Sequence, residues 1–324
     1  MKIGKLSNEQ LEGLVLNNFN KKRKEVLVYP QIGLDCCTLD IGDELCVLST
    51  DPITAANDNL GFIAVNVCCN DAAAAGAIPV GVMTSLLLPP STSEDLIKKI
   101  AGDVSRAADK INVDVVGGHT EITDAVTRPI MSVTVIAKTQ NRKIINTAQM
   151  KAGDTILMTK FAGIEGTAII VNDFLQKVKG ILTDSDIIFC KNLINEISVI
   201  DDGICAAKNG ATAMHDITEG GVLGAVWEMA QASNCGAQIF KESIPLLPQT
   251  EKICSYLDID YLKLISSGSM LIACQNAELI ISELAKINIK CSKIGIATQQ
   301  KKILLDDEII NPPKADELYK LFCR

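Results

Sequence analysis

The stretch "NVCCNDAAAAGAIP", Asn66 to Pro79, decides how the first half of this chain is read. It starts as apolar helix with high alanine content, and Gly76 with Pro79 just beyond supplies the stop. Yet Asn70 and Asp71 stand side by side in its middle, just before four alanines. On a helix Asn66 and Asn70 share a face, and Asp71 lies one residue round from Asn70. A carboxylate in so apolar a setting forfeits hydration and needs a partner. A Lys or Arg, a set of backbone N–H groups, or a metal ion would each serve. Oxygen-only ligands point to Mg2+ or Ca2+, and Mg2+ usually arrives with phosphates.

Working outward, "ELCVLSTDPIT" begins as a strand and ends in a polar turn, and "PVGVMTSLLLP" is a strand. "SEDLIKKIAGDVSRAADKI" is an amphipathic helix capped by Ser93, and "VDVVGGHTEIT" and "RPIMSVTVIAKT" are strands. The polar stretch "TQNRKIINTAQMKAGD" marks a boundary, giving domains at residues 1–145 and 146–324. The second half alternates again: "DTILMTK", "ATAMHDITEGG", "GAQIF", "SMLIAC" and "CSKIGIAT" as strands, with "IEGTAIIVNDFLQKV", residues 183–210, "GVLGAVWEMAQAS" and "AELIISELAKI" as helices. This pattern predicts an α/β (α+β mixed) protein, with acids and paired glycines at the strand-to-helix junctions of both halves.

The bulk numbers narrow the function. At 324 residues, 48% hydrophobic and 22% charged, the chain has the balance of a folded globular protein. No apolar run is long enough to span a bilayer, and the start lacks a signal-peptide pattern, so the expected compartment is the cytoplasm. A net charge of −8 without a Lys/Arg-rich run argues against nucleic acid as a partner. The twelve cysteines lack C-x-x-C spacing and read as small core hydrophobes, and two histidines give a Cys/His zinc site poor support.

Other acids share the setting of Asp71. "GLDCCTLD" places Asp35 beside small residues, and "LSTDPIT" puts Asp51 at a strand end. "VVGGHTEIT" runs a strand into Gly117 and Gly118, then His119, Thr120 and Glu121. "MHDITEGG" supplies His215, Asp216, Thr218 and Glu219, then Gly220 and Gly221 opening a helix. Paired glycines let backbone amides approach an anion, and a helix N-terminus favours phosphate. Taken together these pieces look like a magnesium–nucleotide site. Taken singly, an Asp after a strand is more often a cap, a Gly pair more often a turn. Neither G-x-x-x-x-G-K-[ST] nor G-x-G-x-x-G in a strand–helix setting is present.

In order and spacing, "GLDCCTLD", "STDPIT", "NDAAAAGAIP", "VVGGHTEIT" and "MHDITEGGVLGAVWEMA" resemble the aminoimidazole ribonucleotide synthetase (PurM-like) superfamily, which includes selenophosphate synthetase, thiamine-monophosphate kinase and the hydrogenase-maturation HypE group. The chain looks most like the HypE group and its AIR synthase-related relatives. The resemblance implies two α/β domains and a homodimer whose N-terminal strands form a β-barrel across the interface. It implies ATP with Mg2+ in a cleft nearby, and phosphorylation of an acceptor oxygen, in hydrogenase maturation with a protein partner.

Motif by motif, it makes Asp35, Asp51, Asp71 and Asp216 metal or phosphate ligands. Asn70, Gly117, Gly118 and Thr120 would line the nucleotide, with His215, Thr218, Gly220 and Gly221 from the second domain. Asp71, Glu121 and His119 would serve the chemistry. A kinase resembling the thiamine-monophosphate enzyme, or a non-catalytic nucleotide-binding protein, are the alternatives. Departures are visible: Leu34 stands where the family has a first acid before Asp35, and His119 where the kinase has Asp. The tail "ADELYKLFCR" holds a penultimate Cys323 without the Pro-Arg-Ile-Cys-like ending of HypE.

Overall fold

The computed structural model describes residues 8–14, 16, 24–29, 31–34, 36–54, 56, 58–139, 141–312 and 315–322. After a short helix α1 (Asn8–Leu14), the first half contributes β1 (Val26–Val28), β2 (Cys37–Asp40), β3 (Leu45–Ile53), α2 (Leu60–Ala74), β4 (Ile78–Leu88), α3 (Glu94–Ile111), β5 (Asp114–Ile122) and β6 (Ile130–Lys138). They form a six-stranded sheet in the order β1-β2-β3-β6-β4-β5. Its pairs are antiparallel except β4 with β5, where α3 provides the crossover that a parallel pair requires.

Helix α2 explains itself from its sequence. Every one of its residues is buried, so it has no polar face to give to water. It lies against β3, β6 and β4 on one side and α3 on another, and reaches α7 and β8 of the second half. Small residues allow the crowding. A Cβ on Gly61 would come within 2.5 Å of the Ile100 carbonyl of α3. The stop is as expected: Gly76 takes φ +70°, which an L side chain resists. Helix α3 begins at Ser93, whose side chain accepts from Leu96 N.

The second half contributes β7 (Thr155–Thr159), α4 (Ile164–Asp173), α5 (Leu175–Val178), α6 (Asp184–Asn192), α7 (Ile200–Lys208), β8 (Ala211–Asp216), α8 (Gly221–Ala232), β9 (Gly236–Ile239), α9 (Pro248–Leu257), β10 (Met270–Cys274), α10 (Ala277–Lys286), β11 (Cys291–Thr298), β12 (Ile303–Leu305) and β13 (Glu308–Ile309). Seven strands form the sheet β13-β12-β9-β11-β7-β10-β8. One detail differs from the sequence reading. Residues 183–210 are not one helix but α6, a 3-10 turn and α7. The strand expected over "VDVVGGHTEIT" is present: β5 runs on to Ile122, and Gly118 lets it press against β4, where a Cβ would sit 2.2 Å from the Thr84 carbonyl.

The described cysteines are unbridged, and Cys68, Cys69, Cys190, Cys254 and Cys274 are buried. No described helix is long and apolar enough to cross a membrane.

Candidate functional site

The site is built on the α2-facing side of β3. Alternation along β3 turns Leu45, Val47, Ser49 and Asp51 toward the helix and their neighbours away from it. From α2, Asp71 comes down onto this face, only 5% exposed, and Ser49 Oγ donates to its Oδ2 at 2.5 Å. That is the length of a hydroxyl-to-carboxylate bond. Cys68, one turn earlier, donates its thiol to the Val133 carbonyl at 3.1 Å. Burial first, then Asp71, Cys69 and Asp51, push the Cys68 thiol up, so both carboxylates are felt at this one point. Beside Asp71 lies a cavity of about 30 Å3, walled by Val28, Leu34, Cys36 and Thr38 on one side and by Ile144–Thr147 of the linker on the other. Asp35 lies outside the described residues.

Asn70 is engaged elsewhere. Its amide donates to the Ile197 carbonyl and accepts from Val199 N, each at 2.8 Å. Both groups belong to the segment leading into α7, so Asn70 ties the first half to the second. The polar pair in the apolar helix therefore divides its labour: Asn70 pins the second half, and Asp71 faces β3.

The other candidates fall into two groups. His119 and Glu121 sit on β5 with Nε2 and Oε2 3.5 Å apart, both largely exposed. Gly117 and Gly118 precede them in the same strand, and Thr120 fronts a cleft beside α3. In the second half, His215 and Asp216 end β8 and are buried, with His215 Nε2 2.9 Å from Glu228 Oε2 of α8 and His215 Nδ1 3.9 Å from Asp216 Oδ1. Thr218 and Gly220 lead into α8, and Gly220 N donates to Asp316 Oδ2 at 2.7 Å. The anion at this helix N-terminus is thus the chain's own carboxylate. Gly221, at φ +62°, lets α8 approach the Leu262 and Leu264 carbonyls, each 2.7 Å from where its Cβ would be.

Asp316 and Glu165 went unnoticed in the sequence because their burial depends on distant segments. Asp316 accepts from Gly220 and Leu318 amides, and Glu165 from Ser267 N. Burial, opposed by those amides, raises Asp316 to about 6 and Glu165 to about 7. Ser49 was also missed, although its place two residues before Asp51 on an alternating strand was a usable signal.

Among the described residues no three acids, histidines or cysteines gather closely enough to cage a metal ion. Mg2+ with a nucleotide needs less: one or two carboxylates, with phosphate and water completing the shell. Asp51 and Asp71, oxygen donors on the α2-facing side of β3 with Asp71 beside a small cavity, fit that requirement. Asp216, in the other sheet, belongs to no such group.

Residues 33–139 match the model of the AIR synthase related protein N-terminal domain, and residues 151–307 that of its C-terminal domain. The chain belongs to the AIR synthase-related family. A putative hydrogenase expression/formation protein of Methanocaldococcus jannaschii is 28% identical over 95% of this chain and 92% of that protein. A carbamoyl dehydratase HypE of Escherichia coli is 25% identical over 72% of this chain and 68% of its own. The fold is shared with AaThiL solved with AMPPCP and TMP, at TM-score 0.76 and 17% identity, covering 96% of this chain and 98% of that one. AaThiL thus has the same overall fold as this chain.

Proposed function

We propose that this protein is an ATP-dependent enzyme of the HypE kind, activating an acceptor oxygen by phosphoryl transfer with Mg2+ in hydrogenase maturation. The observation that carries the reading is Asp71: a carboxylate set in an apolar helix, held by the Ser49 hydroxyl, on the same sheet face as Asp51 and next to a cavity. The likeness to a carbamoyl dehydratase supports a carbonyl-type oxygen as acceptor.

When bound, Mg–ATP supplies an electrophilic phosphoryl group and neutralises the charge that develops on transfer. The protein's part is positioning. Asp51 and Asp71 would hold the metal, and Ser49 fixes the carboxylate of Asp71 so that it would lose little freedom on binding. Gly117, Gly118 and Thr120 line the nucleotide side. His119, with Glu121 beside it, holds or moves a proton at the acceptor. Asp216, His215 and Thr218, at the end of β8 and before α8, would approach the nucleotide from the second half, while Gly220 keeps Asp316 as its anion. The enzyme works as a cytoplasmic homodimer, joined through the open edge of the first sheet, with a maturation protein as partner. Domains at 1–145 and 146–324 move little relative to one another, because Asn70 bridges them.

ADP release from ATP and Mg2+ tests the proposal. Turnover stimulated by a carbamoylated acceptor supports it. Turnover only with small phosphate acceptors reassigns the chain to the kinases, and tight binding without turnover makes it a non-catalytic binder. Cys323, outside the described residues, is tested in the same assay. If it carries the acceptor group, Cys323→Ala abolishes stimulated turnover; if turnover is unchanged, the group is carried elsewhere.

A further inference from the structure

The walls of the cavity beside Asp71 set how a metal ion can reach that carboxylate. Position 34 is fixed by the backbone. Leu34 N donates to the Gln31 carbonyl at 3.2 Å, closing a turn with Gly33 at φ +77°, the left-handed residue that a type II turn requires. The turn is pressed on the second half: a Cβ on Gly33 would lie 3.0 Å from the Cβ of Ala232 in α8. Leu34, partly buried, is thereby held on the cavity wall with Cys36 and Thr38.

The opposite wall is equally fixed. Ile145 N donates to the Ala75 carbonyl at the end of α2 at 3.1 Å, and Thr147 Oγ1 to the Met214 carbonyl of β8 at 3.0 Å. The side-chain oxygen of Asn146 accepts from Ala148 N at 2.8 Å. Among the described lining residues Asp71 is therefore the one carboxylate, and its Oδ2 accepts from Ser49. No Lys or Arg is among them either.

Volume then sets the chemistry. The cavity's 30 Å3 is room for about two water molecules. Mg2+ keeps an octahedral shell, sheds its waters reluctantly, and needs carboxylate or phosphate oxygens in place of those it loses. One carboxylate between the apolar walls of Val28, Leu34 and Ile145 does not offset that dehydration, and Asp51, further along β3, does not line this cavity. An acid at position 34 would face Asp71 across the space and make up the difference; the leucine does not. Given Asp51 and Asp71 as the metal-holding carboxylates, on which this rests, we propose that Leu34 makes metal binding depend on the nucleotide. The chain takes up no Mg2+ by itself, and accepts the ion only with phosphate oxygens already on it, as Mg–ATP.

The probe is Mn2+, which shares the oxygen preference of Mg2+. It is dialysed to equilibrium against the full chain, and its excess on the protein side is measured with and without a non-hydrolysable ATP analogue. The wild type retains no Mn2+ by itself at millimolar concentration and retains it once the analogue is added. Leu34→Asp retains Mn2+ without nucleotide, at least about ten-fold more tightly than the wild type, because affinity follows the number of charged ligands. In that variant the two carboxylates repel when no metal is present, so its melting temperature rises with Mn2+ while that of the wild type stays put. Leu34→Asn, of the same shape without the charge, behaves as the wild type. Micromolar Mn2+ binding by the nucleotide-free wild type overturns the proposal. So does a Leu34→Asp chain that is folded by circular dichroism yet gains no affinity for Mn2+, or an equal gain in Leu34→Asn. Nucleotide-free binding by the wild type overturns the role of Leu34 alone, whereas Mn2+ that is not retained even with the analogue overturns the reading of Asp51 and Asp71 as well.

Discussion

Ser49 and Asp71 meet between β3 and α2, the hydroxyl donating to the carboxylate at 2.5 Å with both residues buried. The hydroxyl does for Asp71 what water would do outside, and it does so from a strand rather than from the helix that carries the acid. Removing either partner therefore has different consequences.

Asp71→Asn keeps the shape and much of the hydrogen bonding, so the fold survives while ATP affinity in the presence of Mg2+ falls at least ten-fold. Ser49→Ala leaves Asp71 short of a donor and costs about 1–3 kcal/mol of stability. Urea titration together with equilibrium binding of an ATP analogue separates the two effects. An Asp71→Asn variant with normal affinity would remove the magnesium assignment.

Asn70→Ala strands the Ile197 carbonyl and the Val199 amide at once. The expected loss is about 2–5 kcal/mol, from two buried groups left without their partner. Because both groups lie in the second half, the loss appears as easier opening between the halves. Hydrogen exchange at Val199 should quicken well before exchange in the β3–β6 core does.

Glu165 and Asp316 give the fold a definite pH dependence. Burial raises Glu165 to about 7 and Asp316 to about 6 in the folded chain, above their ordinary values. The folded state thus holds protons that the unfolded chain has released. The stability they contribute is full below about pH 4 and is lost as pH rises to about 7. Glu165→Gln removes its share of that slope, and a denaturation midpoint measured from pH 4 to 8 shows it. An unchanged slope in the variant contradicts the assignment.

Two adjacent glycines behave differently. A Cβ on Gly118 would lie 2.2 Å from the Thr84 carbonyl, whereas on Gly117 the nearest atom is the end of Met83 at 3.7 Å. Gly118→Ala forces β5 off β4 and lowers stability by about 3 kcal/mol or more. Gly117→Ala is tolerated to within about 1 kcal/mol. Thermal melts of the pair check this; equal melting temperatures refute the close approach.

Much of this was written in short-range chemistry. Helix α2 follows from an unbroken run of apolar and small residues ended by Gly76, α3 from its amphipathic period and Ser93, and the strands from alternation. The order of the acid-and-glycine motifs carried the family. These signals are local because helix and strand periods, caps and turn glycines act over a few residues.

What the motifs could not convey was the partner of each polar group. Nothing near Asn70 in sequence names Ile197 and Val199, and nothing near Gly220 names Asp316, which lies 96 residues away. The TEGG junction read as a free anion cradle, yet folding delivers the protein's own carboxylate to it. Local sequence set which elements form; which polar groups are spent on the protein itself, and which remain for a ligand, emerged from contacts between segments far apart in the chain, because burial and hydrogen-bond satisfaction belong to the packed molecule and to no single stretch of it.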